Sequence, residues 1–393
     1  MKFRALESWR GVCAIGVVLV HFSGLNHFQD FPPVQNAGRG VDFFFVLSGF
    51  VLAHAYGERL QSSEAAVPFL IRRFGRLYPL HLFTLGVLLV LEIAKLGLMM
   101  TLHVGAGAAP FTEANSLVAL GANLLLLNGV GLLHYYSWNG PSWSISTEFW
   151  IYLAFLAVCL AGKPASRWLA VAIALVTGAL LLAVDVVPLK LHVYDGLGML
   201  RCVFGFFLGT LTHAFYQRSK ASIDQLPRGG EWLAVGLATL VFFDLLPWPA
   251  LTSPLAFAAV IWVFAFESGA VSRAMSTPAP LYLGTISYSA YLVHFPILAV
   301  LNGACRVIDR KLHLNLYVPA ANTESADGLL LTFGSPWVTD AVEVLYVLLV
   351  IAVASGTYRW IEAPGRQYFN AIASRLEQGR AQRVAATAQA PGE

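Results

Sequence analysis

Long, nearly uncharged runs recur along this chain of 393 residues, and they constrain its fold more than any other feature. A helix needs about 20 apolar residues to cross the hydrocarbon layer of a membrane. Runs close to that length fall at 11–28, 41–57, 77–99, 116–133, 143–162, 168–187, 197–216, 231–247, 250–267, 281–304 and 339–361. Only 12% of the residues are charged, against about 25% in soluble proteins. The sequence therefore predicts an all-α, polytopic transmembrane helical bundle.

Lysine and arginine mark the loops that face the cytoplasm. Arg10 places the N-terminus there, and Lys163, Arg273 and Arg366 place later connections and the C-terminus on the same side. These assignments agree only if one early segment fails to cross. The weakest is 116–133, which glycine and asparagine interrupt, so we predict a re-entrant or partial helix there and about ten spans.

The chain divides into a predicted transmembrane domain, residues 1–366, and a cytoplasmic polar tail, residues 367–393. We expect the tail to be partly disordered, with one short surface helix. The net charge is only +3 and the basic residues lie in short clusters, so no nucleic-acid partner is predicted. No spacing of cysteine or histidine indicates a metal site. Membrane lipid is the expected surrounding.

An ionisable residue inside an apolar span is costly and indicates function by default. His21 lies about ten residues into the first run, and Glu148 lies near the start of the fifth run, in W-S-I-S-T-E. We predict that the two meet, because a carboxylate that fixes the tautomer of a histidine makes it a better base. The alternative for His21 is a packing residue. Trp143 and Ser144 begin the same motif, whose hydroxyl groups either line the site or cap the helix.

Further polar residues share the same depth. Arg201 and His294 need partners in a low-dielectric setting, either in a cavity or in a structural ion pair. Asp42 and Ser48, in the second run, are candidates for the same site.

Arg72, Arg73 and Arg76 are bunched at the cytoplasmic entrance of the third run. Their clustering fits the topology alone. It also fits a cradle for phosphate groups, since each guanidinium can bind two oxygens.

Together these motifs resemble the membrane-bound acyltransferase 3 family, typified by bacterial enzymes that O-acetylate surface and exported polysaccharides. The resemblance covers most of the chain, although Glu7 and Trp9 stand where aspartate and an aliphatic residue are frequent. It rests on these motifs in order: R-A-L-E-S-W-R-G with His21, G-V-D-F-F-F-V-L-S-G-F, R-F-G-R-L-Y-P, W-S-I-S-T-E, Arg201 with F-G-F-F-L-G, I-S-Y-S-A-Y-L-V-H and I-E-A-P-G-R.

The resemblance implies an O-acyltransferase of the bacterial cytoplasmic (inner) membrane. Acetyl-CoA or another acyl-CoA would be the donor, and a hydroxyl of a carbohydrate or small molecule the acceptor. By the same analogy His21 is catalytic, Arg10 supports the site, and Arg73 and Arg76 serve the acyl-CoA. The individual roles of Glu148 and His294 are less defined by it.

Two routes remain open at this point. His21 deprotonates an acceptor that attacks the thioester directly, or His21 is itself acylated and passes the group on. A function of another class is a secondary transporter for a lipid-linked sugar or small anion, since broken helices and buried charges also suit proton coupling.

Overall fold

The structure is a computed structural model that describes residues 3–60, 62–102, 109–187, 195–223, 229–319 and 328–389. This part of the chain is helical apart from loops and two short strands, which confirms the all-α class. The helices are α1 Arg4–Val20, α2 Pro32–Gln35, α3 Gly40–Tyr56, α4 Ala66–Leu102, α5 Leu117–Leu124, α6 Trp143–Leu160, α7 Lys163–Val186, α8 Leu197–Lys220, α9 Gly230–Phe242, α10 Pro249–Phe264, α11 Ala270–Met275, α12 Pro278–Leu312, α13 Pro336–Thr357 and α14 Ala363–Gln389. The strands β1 (Tyr317–Pro319) and β2 (Leu329–Leu331) are antiparallel.

Seven helical stretches in the described residues are long and apolar enough to cross a membrane, judged by length and composition. They contain α3, α4, α6, α7, α8, α12 and α13. The helices α1, α9 and α10 have 17, 13 and 16 residues and occupy further predicted segments. The chain is therefore a multi-pass helical bundle.

The predicted segment 116–133 contains only α5, a helix of eight residues. At about 1.5 Å per residue this helix is too short to cross the hydrocarbon layer. The irregular chain that follows is bound by side chains of α6, since the Ser146 hydroxyl accepts a hydrogen bond from the Gly129 N–H at 3.0 Å. The prediction of a partial helix is confirmed. Backbone groups of the irregular chain after α5 form hydrogen bonds with side chains of the protein.

Three elements are longer or more regular than predicted. Helix α4 begins at Ala66, before the predicted 77, and α12 continues to Leu312, beyond the predicted end at 304. The connection between α12 and α13 contains β1 and β2, while its residues 320–327 lie outside the described chain.

Instead of one short surface helix, the tail forms α14, which has 27 residues and crosses the predicted boundary at 366. It packs along α4, where Phe369 lies over Gly75 and Gly365 lies over Pro79. Its residue Ala373 is fully buried. These contacts explain why a polar tail is helical, because packing of one face stabilises helices that would be marginal alone. Residues 390–393 lie outside the described chain.

Two parallel helices, α1 and α12, cross closely at Gly11 and Gly284. A Cβ atom added at Gly11 would lie 2.6 Å from the Gly284 nitrogen. Such small residues allow close backbone approach, which drives helix association in lipid. His21 and His294 each follow ten residues after the crossing glycine, about 15 Å further along. The crossing therefore sets the register that brings the two histidines to the same level.

Helices α3 and α8 cross in a similar way. A Cβ atom at Gly49 would lie 1.9 Å from the Phe206 carbonyl oxygen, and one at Gly209 would lie 2.0 Å from that of Val46. This contact sets the position of α3 along α8, and with it the level of the α3 side chains.

We expect Gly49→Ala to destabilise the protein by about 1–3 kcal/mol, because the added methyl group forces the two helices apart. Thermal unfolding of the purified protein in detergent measures the change. The matched control is Gly236→Ala in α9, where an added Cβ has no neighbour within 4 Å. That control should be neutral or slightly stabilising. Equal melting temperatures for both variants would contradict the close crossing.

Candidate active site

His21 lies at the carboxyl end of α1, and His294 lies in the middle of α12. Their ring centroids are 5.0 Å apart, and His294 is fully buried while His21 is partly exposed. His21 follows the last residue of α1, so it lies at the end of this helix and not at the predicted mid-span position. The segment just after it is bound to β2, since the Leu25 N–H donates to the Leu331 oxygen at 2.8 Å.

A backbone carbonyl fixes the tautomer of His21. Its Nδ1 lies 2.7 Å from the Val17 oxygen, and a carbonyl oxygen can only accept. Nδ1 therefore carries the proton, which leaves the Nε2 lone pair of neutral His21 available as a base. His294 has the same arrangement, with Nδ1 3.3 Å from the Ala290 oxygen and a buried Nε2 that has no hydrogen-bond partner among the described residues.

We predicted that Glu148 would meet His21, but in the structure Glu148 has other partners. Oε1 of Glu148 accepts hydrogen bonds from the Ser48 hydroxyl at 2.9 Å and from the Tyr152 hydroxyl. Glu148 lies in the second turn of α6, whereas His21 is held at the far end of α1 by Val17. The partner of the Ser48 hydroxyl is thus the Glu148 carboxylate.

Arg10 is likewise separate from His21. It donates from Nε to the Ser287 hydroxyl at 3.0 Å and from Nη2 to the Gly284 oxygen at 3.1 Å. Arg10 and His21 are eleven positions apart along α1, about 16 Å. Arg10 therefore holds α1 against α12.

The three clustered arginines point in two directions. Arg72 faces α14, where Nη1 and Nη2 donate to the two carboxylate oxygens of Glu377 at 2.7 and 2.6 Å. Arg73 and Arg76, three residues apart on one face of α4, point into the bundle. The Arg73 guanidinium lies 5.3 Å from the Tyr56 ring centroid and 5.8 Å from that of Tyr152. The predicted single cradle is therefore divided, because Arg72 is bound to Glu377 of α14 while Arg73 and Arg76 contact side chains inside the bundle.

Arg76 has a buried acidic neighbour that the sequence did not single out. Its Nη1 lies 3.6 Å from Oε1 of Glu362, whose Oε2 accepts from the Ser289 hydroxyl at 2.8 Å. Glu362 ends a π-helical turn, Tyr358–Glu362, of the kind that often marks functional sites. The signal available in the sequence was an acidic residue at the end of an apolar run, within I-E-A-P-G-R.

Arg201 and Asp42 form a buried ion pair. Nε and Nη2 of Arg201 donate to the two oxygens of Asp42, both at 2.9 Å. The Arg201 guanidinium also lies 5.9 Å from the ring centroid of the buried Trp143. Of the two alternatives for Arg201, the structure supports the ion pair, and both charges are satisfied by it.

The hydroxyl groups near the start of α6 are largely structural. Ser142 and Ser146 bind the irregular chain after α5, through Asn128 at 3.0 Å and the Leu126 oxygen at 2.5 Å. Ser144 is the exception, because it lies 2.8 Å from the hydroxyl of Tyr291.

Asn139 joins α4 to α12 beside His294. Pro296 has no N–H, so the Leu292 carbonyl lacks its helical partner and accepts instead from Asn139 Nδ2 at 3.0 Å. The same Nδ2 lies 3.3 Å from the Thr84 hydroxyl. The sequence analysis missed Asn139, although a proline in a long apolar helix signals a carbonyl that needs a donor.

Polar side chains connect the arginines to the histidines in an array that we call the polar column. Its members are Arg73, Tyr152, Glu148, Ser144, Tyr291, His294 and His21. The Tyr291 and His294 ring centroids are 5.9 Å apart, and Ser144 lies one helical turn from Glu148. Among the described residues no group of three or more histidine, cysteine or acidic side chains could hold a metal ion. The column has the Arg73 guanidinium at one end and the His21 imidazole, with its basic Nε2, at the other.

Comparison with known proteins identifies relatives of this chain. Protein 2 in the picA locus of Rhizobium radiobacter is 35% identical over 156 residues, 37% of this chain and 77% of that protein. Exopolysaccharide production protein ExoZ of Rhizobium meliloti (strain 1021) is 26% identical over 264 residues, 65% of this chain and 74% of ExoZ. Acyltransferase MdmB of Streptomyces mycarofaciens is 28% identical over 178 residues, 39% of this chain and 38% of MdmB.

No solved structure matches the chain. The profile of a protein family described as "Acyltransferase domain" matches residues 3–359, nearly the whole bundle. This match favours an enzyme over the transporter. The chain belongs to the membrane-bound acyltransferase 3 family and is a membrane O-acyltransferase.

Proposed function

We propose that this enzyme takes an acetyl group from acetyl-CoA on the cytoplasmic side of the bacterial inner membrane and transfers it to an acceptor hydroxyl. The acceptor is a carbohydrate or another surface or exported molecule, and both termini lie in the cytoplasm. The polar column carries this proposal, because it joins an arginine at one end to a pair of histidines at the other. ExoZ, named for exopolysaccharide production, supports a carbohydrate acceptor.

The column has the reach that such a donor requires. Along α4, Arg73 and Thr84 are 11 residues apart, about 16 Å. Thr84 lies at the level of the histidines, since Asn139 binds both Thr84 and the carbonyl of Leu292, two residues before His294. A donor with phosphates at Arg73 and Arg76 would need a long, narrow arm to bring its thioester to His21. Pantetheine is an arm of this kind.

In the direct route, Nε2 of His21 removes the proton of the acceptor hydroxyl, and the oxygen attacks the thioester carbonyl carbon. The tetrahedral intermediate then collapses, the carbon–sulfur bond breaks, and the CoA thiolate takes the proton from His21. In the relay route, Nε2 itself attacks the carbonyl carbon, the carbon–sulfur bond breaks and CoA leaves as the thiolate. The acceptor hydroxyl then attacks the acyl-imidazolium, its proton goes to the thiolate, and the carbon–nitrogen bond breaks to restore neutral His21. Rapid quenching of a single turnover separates the two, because only the relay accumulates label on His21.

Transfer is tested with inside-out membrane vesicles and acetyl-CoA labelled in the acetyl group. The expected result is release of CoA thiol that depends on the acceptor fraction, with label appearing in envelope glycans. Vesicles from a deletion strain are the control. Thiol release in the absence of acceptor, with none of the label in glycans, would contradict the proposed acceptor class.

We expect Arg76→Gln to raise the KM for acetyl-CoA about tenfold or more, because one charge-assisted hydrogen bond to phosphate contributes about 1.5–3 kcal/mol. Initial rates at varied acetyl-CoA concentration measure this change. Arg375→Gln, an exposed arginine of α14, removes the same charge from the tail and should leave KM unchanged. If both variants raised KM equally, general attraction of the anionic donor would replace a specific contact.

A further inference from the structure

A small cavity of about 230 Å³ lies where the carboxyl end of α3, the start of α4 and the helix α14 meet. Pockets that enclose a whole drug-sized ligand measure about 300–1,000 Å³, so this one suits only one end of a large molecule. Its walls include two arginines and two aromatic rings, together with one carboxylate. They are Arg59, Arg72, Tyr56, Phe69 and Glu377.

The carboxylate occupies the position that an anion would take. Glu377 binds both terminal nitrogens of Arg72 in a bidentate arrangement, which is also how a guanidinium binds phosphate. The Glu377 side chain is 49% exposed, so the pair faces solvent on one side. An exposed ion pair contributes little net stability, and a ligand with more charge can replace the carboxylate.

Helix α14 keeps its place without this pair. Phe369 over Gly75 and Gly365 over Pro79 hold the helix to α4 nearer its start, and Ala373 is fully buried one turn before Glu377. Glu377 can therefore turn away while α14 stays packed.

The cavity adjoins the polar column. The Tyr56 ring that forms one wall of the cavity lies 5.3 Å from the Arg73 guanidinium, at the cytoplasmic end of the column. On the cavity side, Tyr56 meets Phe69 edge to face, with ring centroids 5.1 Å apart. Nε of Arg73 is buried and has no hydrogen-bond partner among the described residues, which leaves a donor available between cavity and column.

We propose that this cavity binds the nucleotide end of the donor, an adenosine with its phosphate groups. Arg59 and Arg72 bind the phosphates, the rings of Tyr56 and Phe69 line the base, and Glu377 holds Arg72 until the nucleotide replaces it. The proposal rests on the proposed function, because it assigns a second contact to the same acyl-CoA. It explains why Arg72 faces away from the column: the phosphates near the base and those near the arm are bound by different arginines.

The test measures binding of adenosine 3′,5′-bisphosphate to the purified full-length protein in detergent. Glu377→Gln should tighten binding about two- to fivefold, since the competing ion pair is lost. Arg72→Gln should weaken it at least about tenfold. The matched control is Glu58→Gln, an exposed cytoplasmic glutamate paired with Lys163. It should bind the probe as the unmodified protein does.

The expected increase in probe affinity of Glu377→Gln cannot result from misfolding, because misfolding does not tighten binding. Unchanged affinity in that variant, or in a folded Arg72→Gln variant, would overturn the proposal. So would equal competition by vesicles of anionic phospholipid, which would assign the cavity to a lipid headgroup. Binding of the probe needs no acceptor. A preparation that releases CoA but shows no Arg72-dependent binding of the probe would therefore contradict the nucleotide site and leave the transfer reaction standing. Preserved binding without any CoA release would instead contradict the transfer reaction.

Discussion

His21→Ala is expected to reduce acceptor-dependent release of CoA about 100- to 10,000-fold, the contribution of a general base. The physical reason is that Val17 fixes the proton on Nδ1 and leaves Nε2 as the basic atom beside His294. The measurement is initial thiol release in vesicles that contain equal amounts of protein. His27→Ala is the matched control, because His27 follows His21 by six residues but is half-exposed and paired with Asp340. It should retain activity close to that of the unmodified enzyme.

The partner of His21 is tested by combining variants. If the two histidines act as one unit, His21→Ala with His294→Ala should lose little more activity than His21→Ala alone, because removal of either breaks the same machinery. Glu148→Gln should behave differently and add its loss to that of His21→Ala, since Glu148 contacts Ser48 and Tyr152. Full activity in His21→Ala would exclude the imidazole as the base.

Breaking the buried ion pair is expected to be the most damaging single change to stability. Arg201→Gln should lower the free energy of unfolding by about 3–5 kcal/mol, because the Asp42 carboxylate then stays buried without its partner. Thermal unfolding in detergent measures the loss. The comparison is Asp244→Asn, which breaks an ion pair with Arg39 in which the carboxylate is 51% exposed, and which should cost less than about 1 kcal/mol.

A double variant separates stability from catalysis. Asp42→Leu with Arg201→Met removes both charges and should recover most of the stability, since apolar replacements of buried ion pairs are often neutral or favourable. If the pair is structural, the recovered protein also regains CoA release. A stable but inactive double variant would instead assign the pair to the chemistry of the site.

The helices could largely be predicted from the sequence. In lipid each spanning segment must satisfy its own backbone hydrogen bonds, so a long apolar run by itself predicts a helix. The partial helix could also be predicted from the sequence, because glycine and asparagine interrupt 116–133. The long helix α14 could not be predicted, because its stability depends on contacts such as Phe369 over Gly75, which join residues far apart in the chain.

The sequence singled out many of these buried polar residues but not the contacts that they make. Periodicity could have separated Arg72 from Arg73, which are adjacent on α4 and so face different sides, but not from Arg76, which follows Arg72 by four residues and lies near the same face. Glu362 and Asn139 were missed because their significance comes from Arg76 and from the unpaired carbonyl of Leu292.

The sequence by itself determined that the chain is a membrane-embedded helical bundle of the acyltransferase 3 family, because apolar length, loop charge and motif order are local properties. Only the tertiary structure decided that His21 meets Val17 and His294, with Glu148 bound to Ser48 instead. The reason is the crossing of α1 and α12 at Gly11 and Gly284, which sets the register of residues more than 270 positions apart.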